Sequence, residues 1–187
     1  TSSFPPLIIC CAITGGVQGK EANPNLPETP EEQAEQTYEA YKAGASIVHV
    51  HARDPQRWYD SAGSAEVYRK VNGLIREECP DIIINNSTGG TWGMTIEERL
   101  CVLDANPEMA TLNLGPDMYK MTLKERKPPL PSPRPEQHLD GCMPNTYAEV
   151  AAFARGMKER GIKPEMEMYH PGTVWVVHDV IGQGLVE

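Results

Sequence analysis

The chain has 187 residues, with 17 Lys and Arg against 26 Asp and Glu, for a formal charge of −9 at neutral pH. That balance excludes a nucleic-acid binder of the usual kind, which needs a basic footprint to displace counterions. At 40% hydrophobic and 23% charged residues, the chain can bury a core and does not have the composition of a disordered one.

The first apolar run, Leu7 to Thr14, is β-branched and bounded by Pro5-Pro6 and Gly15-Gly16, which predicts a buried strand. A helix is expected from Thr29, where Pro30 takes the first turn and Glu32 completes a capping box, to about Gly44. Ser46 to His51 is a second strand, Ser64 to Glu78 a helix stopped by Pro80, and Asp81 to Ser87 a third strand closed by Gly89-Gly90. Thr95 to Glu98 repeats the capping box and opens a helix to about Ala105, followed by a fourth strand at Met109 to Leu114. Residues 116–143 read as an inserted loop or arm, because Lys127 to Glu136 is too rich in proline for a helix or central strand. Asn145 to Arg160 is helical with Gly161 as its C-cap, Lys163 to Tyr169 is a fifth strand, and Thr173 to Ile181 begins a fifth helix.

Five βα units in alternation imply a single α/β domain with a parallel sheet, either doubly wound or a (β/α)8 TIM barrel. The barrel is favoured by polar residues at the carboxyl ends of the strands: His49 and His51, Ser87, Thr111 and Asn113, Glu165 and Glu167. Residues i and i+2 share a face. The polar set would therefore line an interior at the end where barrel active sites sit, while Val48/Val50, Leu112/Leu114 and Met166/Met168 would meet the helices. A barrel needs about 250 residues, so this chain is expected to cover about the first five of eight βα units, with three more beyond Glu187.

Five cysteines, an odd number without a CxxC pair, make a poor disulfide framework and point to a cytoplasmic setting. The N-terminal apolar run is far shorter than the roughly 20 residues that span a bilayer, so no membrane segment is expected.

The sharpest chemical signal is His49-Val50-His51, because two imidazoles one strand repeat apart can reach one metal ion, and neutral imidazole suits zinc. A catalytic zinc normally has three protein ligands, and Glu165, Glu167, His170 and Asp54 are the candidates for a third. His138 in the Pro-rich arm and His178 in a predicted helix read as surface or packing residues. A carboxylate pointing into a barrel is costly unless paired, metal-bound or used as an acid or base, and both Glu165 and Glu167 carry that reading beside a structural one. Ser87, Thr88, Gly89 and Gly90 can form a nest of N–H and hydroxyl donors for a carboxylate or phosphate, although STGG is also ordinary turn chemistry. Thr111 and Asn113 would add donors to the same pocket. No dinucleotide fingerprint and no S-x-x-K or G-x-S-x-G nucleophile motif is present.

The stretches AITGG (12–16), NPNLPETPEEQA (23–34), AGASIVHVHARDP (43–55), INNSTGG (84–90), PEMATLNLG (107–115) and KPEMEMYHPG (163–172) together resemble the beta-keto acid cleavage enzyme family. The resemblance implies a zinc-dependent barrel that converts a β-keto acid and acetyl-CoA into acetoacetate and a new acyl-CoA. It makes His49 and His51 zinc ligands, places Ser87, Gly90 and Thr111 on the keto acid, and puts Glu167 in the acid/base network. Members acting on an amino-substituted keto acid carry an acidic residue in the loop after ITG. Val17 stands there in this chain and Glu21 is out of register, so a keto acid without a cationic group is expected. The family's glutamate zinc ligand, with its neighbouring aspartate and an arginine, belongs to later strands that have no counterpart here. Two other readings are a metal-dependent barrel hydrolase or aldolase that does not use CoA, and a metal- or carboxylate-binding module without turnover. A homo-oligomer is expected on the ground that the Pro-rich arm looks made to lie on another surface.

Overall fold

The computed structural model describes residues 4–187. Along the chain run β1 (Cys10–Ala12), α1 (Pro30–Lys42), β2 (Ile47–Val50), a short hairpin of β3 (Arg53–Asp54) and β4 (Arg57–Ser61), and α2 (Ala65–Glu78). These are followed by β5 (Ile83–Asn86), α3 (Ile96–Leu100) continued by a 3-10 turn at Cys101–Ala105, and β6 (Met109–Asn113). A second hairpin of β7 (Asp117–Leu123) and β8 (Gln137–Met143), then α4 (Tyr147–Arg160), β9 (Lys163–Glu167) and α5 (Val174–Gly182) complete it.

The main sheet has the order β1-β2-β5-β6-β9 with every pair parallel. Its strands lie side by side in chain order, without the reversal that marks a doubly wound sheet. Helix starts are local in origin: Thr29 with Glu32, Thr95 with Glu98, and Thr146 with Glu149 each close a capping box. Gly161 ends α4 in the left-handed region at φ 67°.

One face of the sheet is sealed. Val48, Val50 and Ile84 pack with Tyr68, Val71 and Ile75 of α2 and with Ala34 of α1. Ala110, Leu112 and Leu114 pack with Val150, Phe153, Ala154 and Met157 of α4 and with Val176 and Val180 of α5. All these residues are buried, and apolar area removed from water, at roughly 25 cal/mol per Å², is what holds the helices on this face. The opposite face carries His49, Asn85, Thr111 and Glu165, brought into one band by the parallel register. Met166 and Met168, expected against the helices, stay 38% and 45% exposed, because β9 is an edge strand paired on one side only.

Three elements differ from the sequence reading. Only Cys10–Ala12 of the first apolar run pairs, since β1 is the other edge, and Leu7 and Ile8 are exposed. The segment after His51, where the sequence reading places no element before Ser64, is the β3/β4 hairpin. The arm at 116–143 is a regular seven-pair antiparallel hairpin with the prolines at its tip. That tip folds onto its own chain rather than reaching away from it. Arg126 bonds Glu21 at 2.6 Å and both oxygens of Glu28 at 2.7 and 2.8 Å, Arg134 bonds Glu21 at 2.8 Å, and all four side chains are buried. Arg134 also stacks on the Tyr59 ring at 4.7 Å. Gly19 is required beside this cluster, because a β-carbon there would collide with Glu28 and Arg126.

Candidate active site at the carboxyl end of the sheet

His49 and His51 leave β2 on the same face, and their Nε2 atoms face each other at 2.9 Å. Burial holds both imidazoles below their usual range, against the pull of Glu165 on His49 and aided at His51 by the charges of His49 and Arg53. Both rings are therefore neutral at physiological pH, the form that binds metals. Two nitrogens this close can share an ion at about 2.1 Å each. His51 Nδ1 is buried without a hydrogen-bond partner, held against the loop after β1 because Gly16 has no β-carbon to press on it. Ser61 of β4 ties two loops above the pair, donating towards the carbonyls of Gly16 and Gly90.

None of the candidate third ligands meets the two Nε2 atoms. Glu165 Oε2 lies 3.9 Å from His49 Nδ1, on the far side of the ring, and accepts from Asn85 Nδ2. Asp54 is engaged by Arg57 and the Gln56 amide, and His170 accepts from the Gly172 amide. Among the described residues, no group of three or more His, Cys, Asp or Glu could hold a metal ion. His138 sits on the exposed hairpin beside Thr122, and His178 is exposed on α5.

Beyond β5 the chain turns through Ser87, Thr88, Gly89 and Gly90, the last at φ 68°, a conformation glycine adopts without strain. Thr88 locks this turn onto β6: its amide donates to Thr111 Oγ1 at 2.9 Å, and its hydroxyl to the Thr111 carbonyl at 2.7 Å. Those two hydroxyls hold the turn in place, while Ser87 Oγ accepts from the Gly89 amide at 3.2 Å and has its own hydrogen to offer. Asn113 and Glu167 are joined by Tyr169, whose hydroxyl lies 2.9 Å from Asn113 Oδ1 and 2.8 Å from Glu167 Oε2. Burial raises the Glu167 carboxyl above the ordinary range, Tyr169 opposes this, and Glu165 adds to it. A carboxyl so poised can take and return a proton nearer neutrality.

Two cations escaped the sequence reading. Arg53 is 1% exposed and donates to Thr14 Oγ1, the Gln18 carbonyl and the Tyr59 carbonyl, leaving Nε without a partner. Arg99, 3% exposed, donates to the Thr88 carbonyl and Asn145 Oδ1. Neither has a carboxylate within ion-pair distance among the described residues, whereas buried arginines are ordinarily paired. Burial draws Arg53 down to about 10, so it remains charged. Both lie behind the STGG turn and the histidines and make that side of the site favourable to an anion. A cavity of about 220 Å³ opens beside His51.

The model of the family described as beta-keto acid cleavage enzyme matches residues 6–187. The chain is 39% identical over 168 residues to a 3-keto-5-aminohexanoate cleavage enzyme of Fusobacterium nucleatum subsp. nucleatum, covering 90% of this chain and 54% of that protein. It is 32% identical to a 3,5-dioxohexanoate:acetyl-CoA acetone transferase of Paraburkholderia graminis, over 97% of this chain and 60% of that protein. It thus spans about half the length of the curated relatives it matches. Among solved structures, a ternary complex of ObcA with a C4-CoA adduct and oxalate superposes with a TM-score of 0.65 at 22% identity, over 87% of this chain and 35% of that one, a likeness of fold. With the model matched over nearly the whole sequence, the chain belongs to the beta-keto acid cleavage enzyme family.

Proposed function

We propose that the protein is a metal-dependent transferase that condenses a β-keto acid with acetyl-CoA to give acetoacetate and a new acyl-CoA, and that its sheet is part of a (β/α)8 barrel. The observation that carries this reading is the pair of neutral imidazoles, Nε2 to Nε2 at 2.9 Å, set beside the STGG turn. The donor set suits zinc: His49 and His51 would hold it, with a further ligand from outside the described residues. When bound, the ion supplies Lewis-acid polarisation of the keto oxygen.

The remaining steps fall to this chain's own groups. The amides of Gly89 and Gly90 and the Ser87 hydroxyl would hold the keto acid's carboxylate, with Arg53 and Arg99 supplying positive potential behind them. Thr88 and Thr111 keep the turn in register through their mutual bonds. Glu167 would take and return the proton during C–C bond making and breaking, with Tyr169 and Asn113 fixing its orientation. Glu165, held by Asn85, faces His49 Nδ1, where a carboxylate steadies a ligating ring.

The test is to incubate the natural protein with labelled acetyl-CoA and a β-keto acid and to measure its bound metal. Labelled acetoacetate with a new acyl-CoA, and metal near one per chain, are expected. Consumption of the keto acid without acetyl-CoA would point instead to a hydrolase or aldolase. Metal binding without turnover of any β-keto acid would point to a binding module. No helix among the described residues is long and apolar enough to cross a membrane.

A further inference from the structure

The cavity beside His51 is walled by Val17 from the loop after β1, Trp92 from the turn after β5, and Asp117, Tyr119, Met121 and Met143 from the β7/β8 hairpin. At about 30 Å³ per water-sized group, its 220 Å³ holds about seven such groups, room for a short substrate side chain. Its apolar lining has a defined shape. The Trp92 and Tyr119 rings stand at 87° with centroids 5.3 Å apart, forming an aromatic corner. Trp92 is seated directly on Gly141, where any side chain would overlap the indole.

Among the described residues, Asp117 is the one carboxylate of that wall. It is half-buried at the start of β7, and no Lys, Arg or His among the described residues stands within ion-pair distance of it. Its charge reaches the cavity: after burial, it is what raises the Tyr119 phenol, and it adds to the rise at Tyr169. Behind two other walls of the cavity lie Arg53, bonded to the loop after β1, and Arg99, bonded under the STGG turn, with no carboxylate in ion-pair distance among the described residues. The walls therefore differ in sign, cationic behind the loop and the STGG turn and anionic at the hairpin. Aromatic faces and methionine sulfur beside a lone carboxylate are the surroundings that a soft cation prefers. A carboxylate placed there would meet like charge.

We propose that this pocket selects β-keto acids whose far end carries an ammonium or methylated ammonium group, with Asp117 as its counter-ion and Trp92 and Tyr119 as its aromatic walls. The inference rests on the reaction proposed above. It also reverses the expectation drawn from Val17: the acidic group missing from the loop after β1 is supplied to the same cavity by the hairpin. Asp117 touches substrate at its distal end and so governs which keto acid binds, while the chemistry stays at the histidines and Glu167.

The experiment uses the natural, metal-loaded protein with acetyl-CoA and three β-keto acids of equal length, ending in trimethylammonium, in its uncharged tert-butyl isostere, or in a carboxylate. The kcat/KM for the cationic acid should exceed that for the isostere by about tenfold or more, with the carboxylate poorest. Asp117→Asn should collapse the cation-to-isostere ratio towards one, and Asp117→Lys should shift preference to the carboxylate. A wild-type ratio near one, or an Asp117→Asn variant that loses activity equally on all three, overturns the proposal. If none of the three is turned over, the reaction assigned above fails, and calorimetric binding of the same acids decides this one. Cation-selective binding lost in Asp117→Asn supports it, and equal binding overturns it.

Discussion

Two sets of buried charges lie within a few residues of each other and are handled in opposite ways. Arg126 and Arg134 close on Glu21 and Glu28, so that each guanidinium meets a carboxylate and the cluster is complete within the chain. Arg53 and Arg99 are as deeply buried, but among the described residues they meet carbonyls, a hydroxyl, an amide oxygen and, for Arg99, the Phe153 ring at 5.0 Å, and no carboxylate. The loop after β1 serves both: its Gln18 carbonyl accepts from Arg53, and three residues on Glu21 accepts from Arg126. A buried charge that is paired fastens the hairpin to the sheet. One that is left unpaired would keep positive potential for the carboxylate of the proposed substrate.

The largest effect expected from breaking this contrast lies at His49 and His51, the proposed metal ligands. His49→Ala or His51→Ala should lower turnover by about 10³-fold or more and bound metal with it, since on the proposed reaction the polarising ion would supply several kcal/mol. Retention of near wild-type metal and rate by either variant would displace the pair from the centre of the site. Next, Arg126→Ala leaves Glu28 buried without its cation and Glu21 with Arg134 alone, and should cost roughly 3–5 kcal/mol in a denaturant titration, with a smaller change in kcat. A loss under about 1 kcal/mol would mean the cluster fastens nothing.

The same cluster sets a pH dependence. Burial alone would raise Glu21, but hydrogen bonds from its surrounding amides and Arg126, and the charge of Arg134, hold it below the usual 4.5. Its stabilising share is thus present above that value and lost as pH falls through the lower folded-state value, so the hairpin should loosen in acid before the core melts. Hydrogen exchange of β7 and β8 against that of β2 and β5 measures the order.

Arg53→Met, which keeps the bulk but removes the unpaired charge, should raise KM for the keto acid by roughly tenfold, the scale of one bond to a charged group, while stability changes less than in Arg126→Ala. Equal losses in both variants would erase the distinction between the two sets. The smallest effect is at Tyr169→Phe. Its hydroxyl favours the ionised Glu167, so its removal should move the acid limb of the kcat/KM profile to higher pH. An unmoved or lowered limb would remove Glu167 from the proton path.

What the sequence disclosed was whatever local pattern determines. Alternation set Val48 and Val50 against the helices and His49 and His51 on the other face, and T-x-x-E marked two helix starts within a residue or two. Glu21 and Arg126 are 105 residues apart, and nothing near either announces the other. Arg99 reads as one more charge on a helix until the turn after β5 folds over it. The hairpin was masked by its own tip. Ten residues rich in proline dominate the stretch, although Asp117 to Leu123 alternates exposed and part-buried side chains as a strand should. Asp117 could be placed in the pocket only once that strand was seen to pass it.

The seat of Trp92 on Gly141 bears on how the proposed site could acquire new substrates. The indole belongs to the turn that would hold the substrate's carboxylate, and the glycine to the hairpin that would choose its side chain. Neither surface can drift alone: a larger residue at 141 demands a smaller one at 92, and a lost indole leaves a gap over β8. Across relatives, these two positions should therefore change together, as a single hereditary unit of specificity spread over two loops.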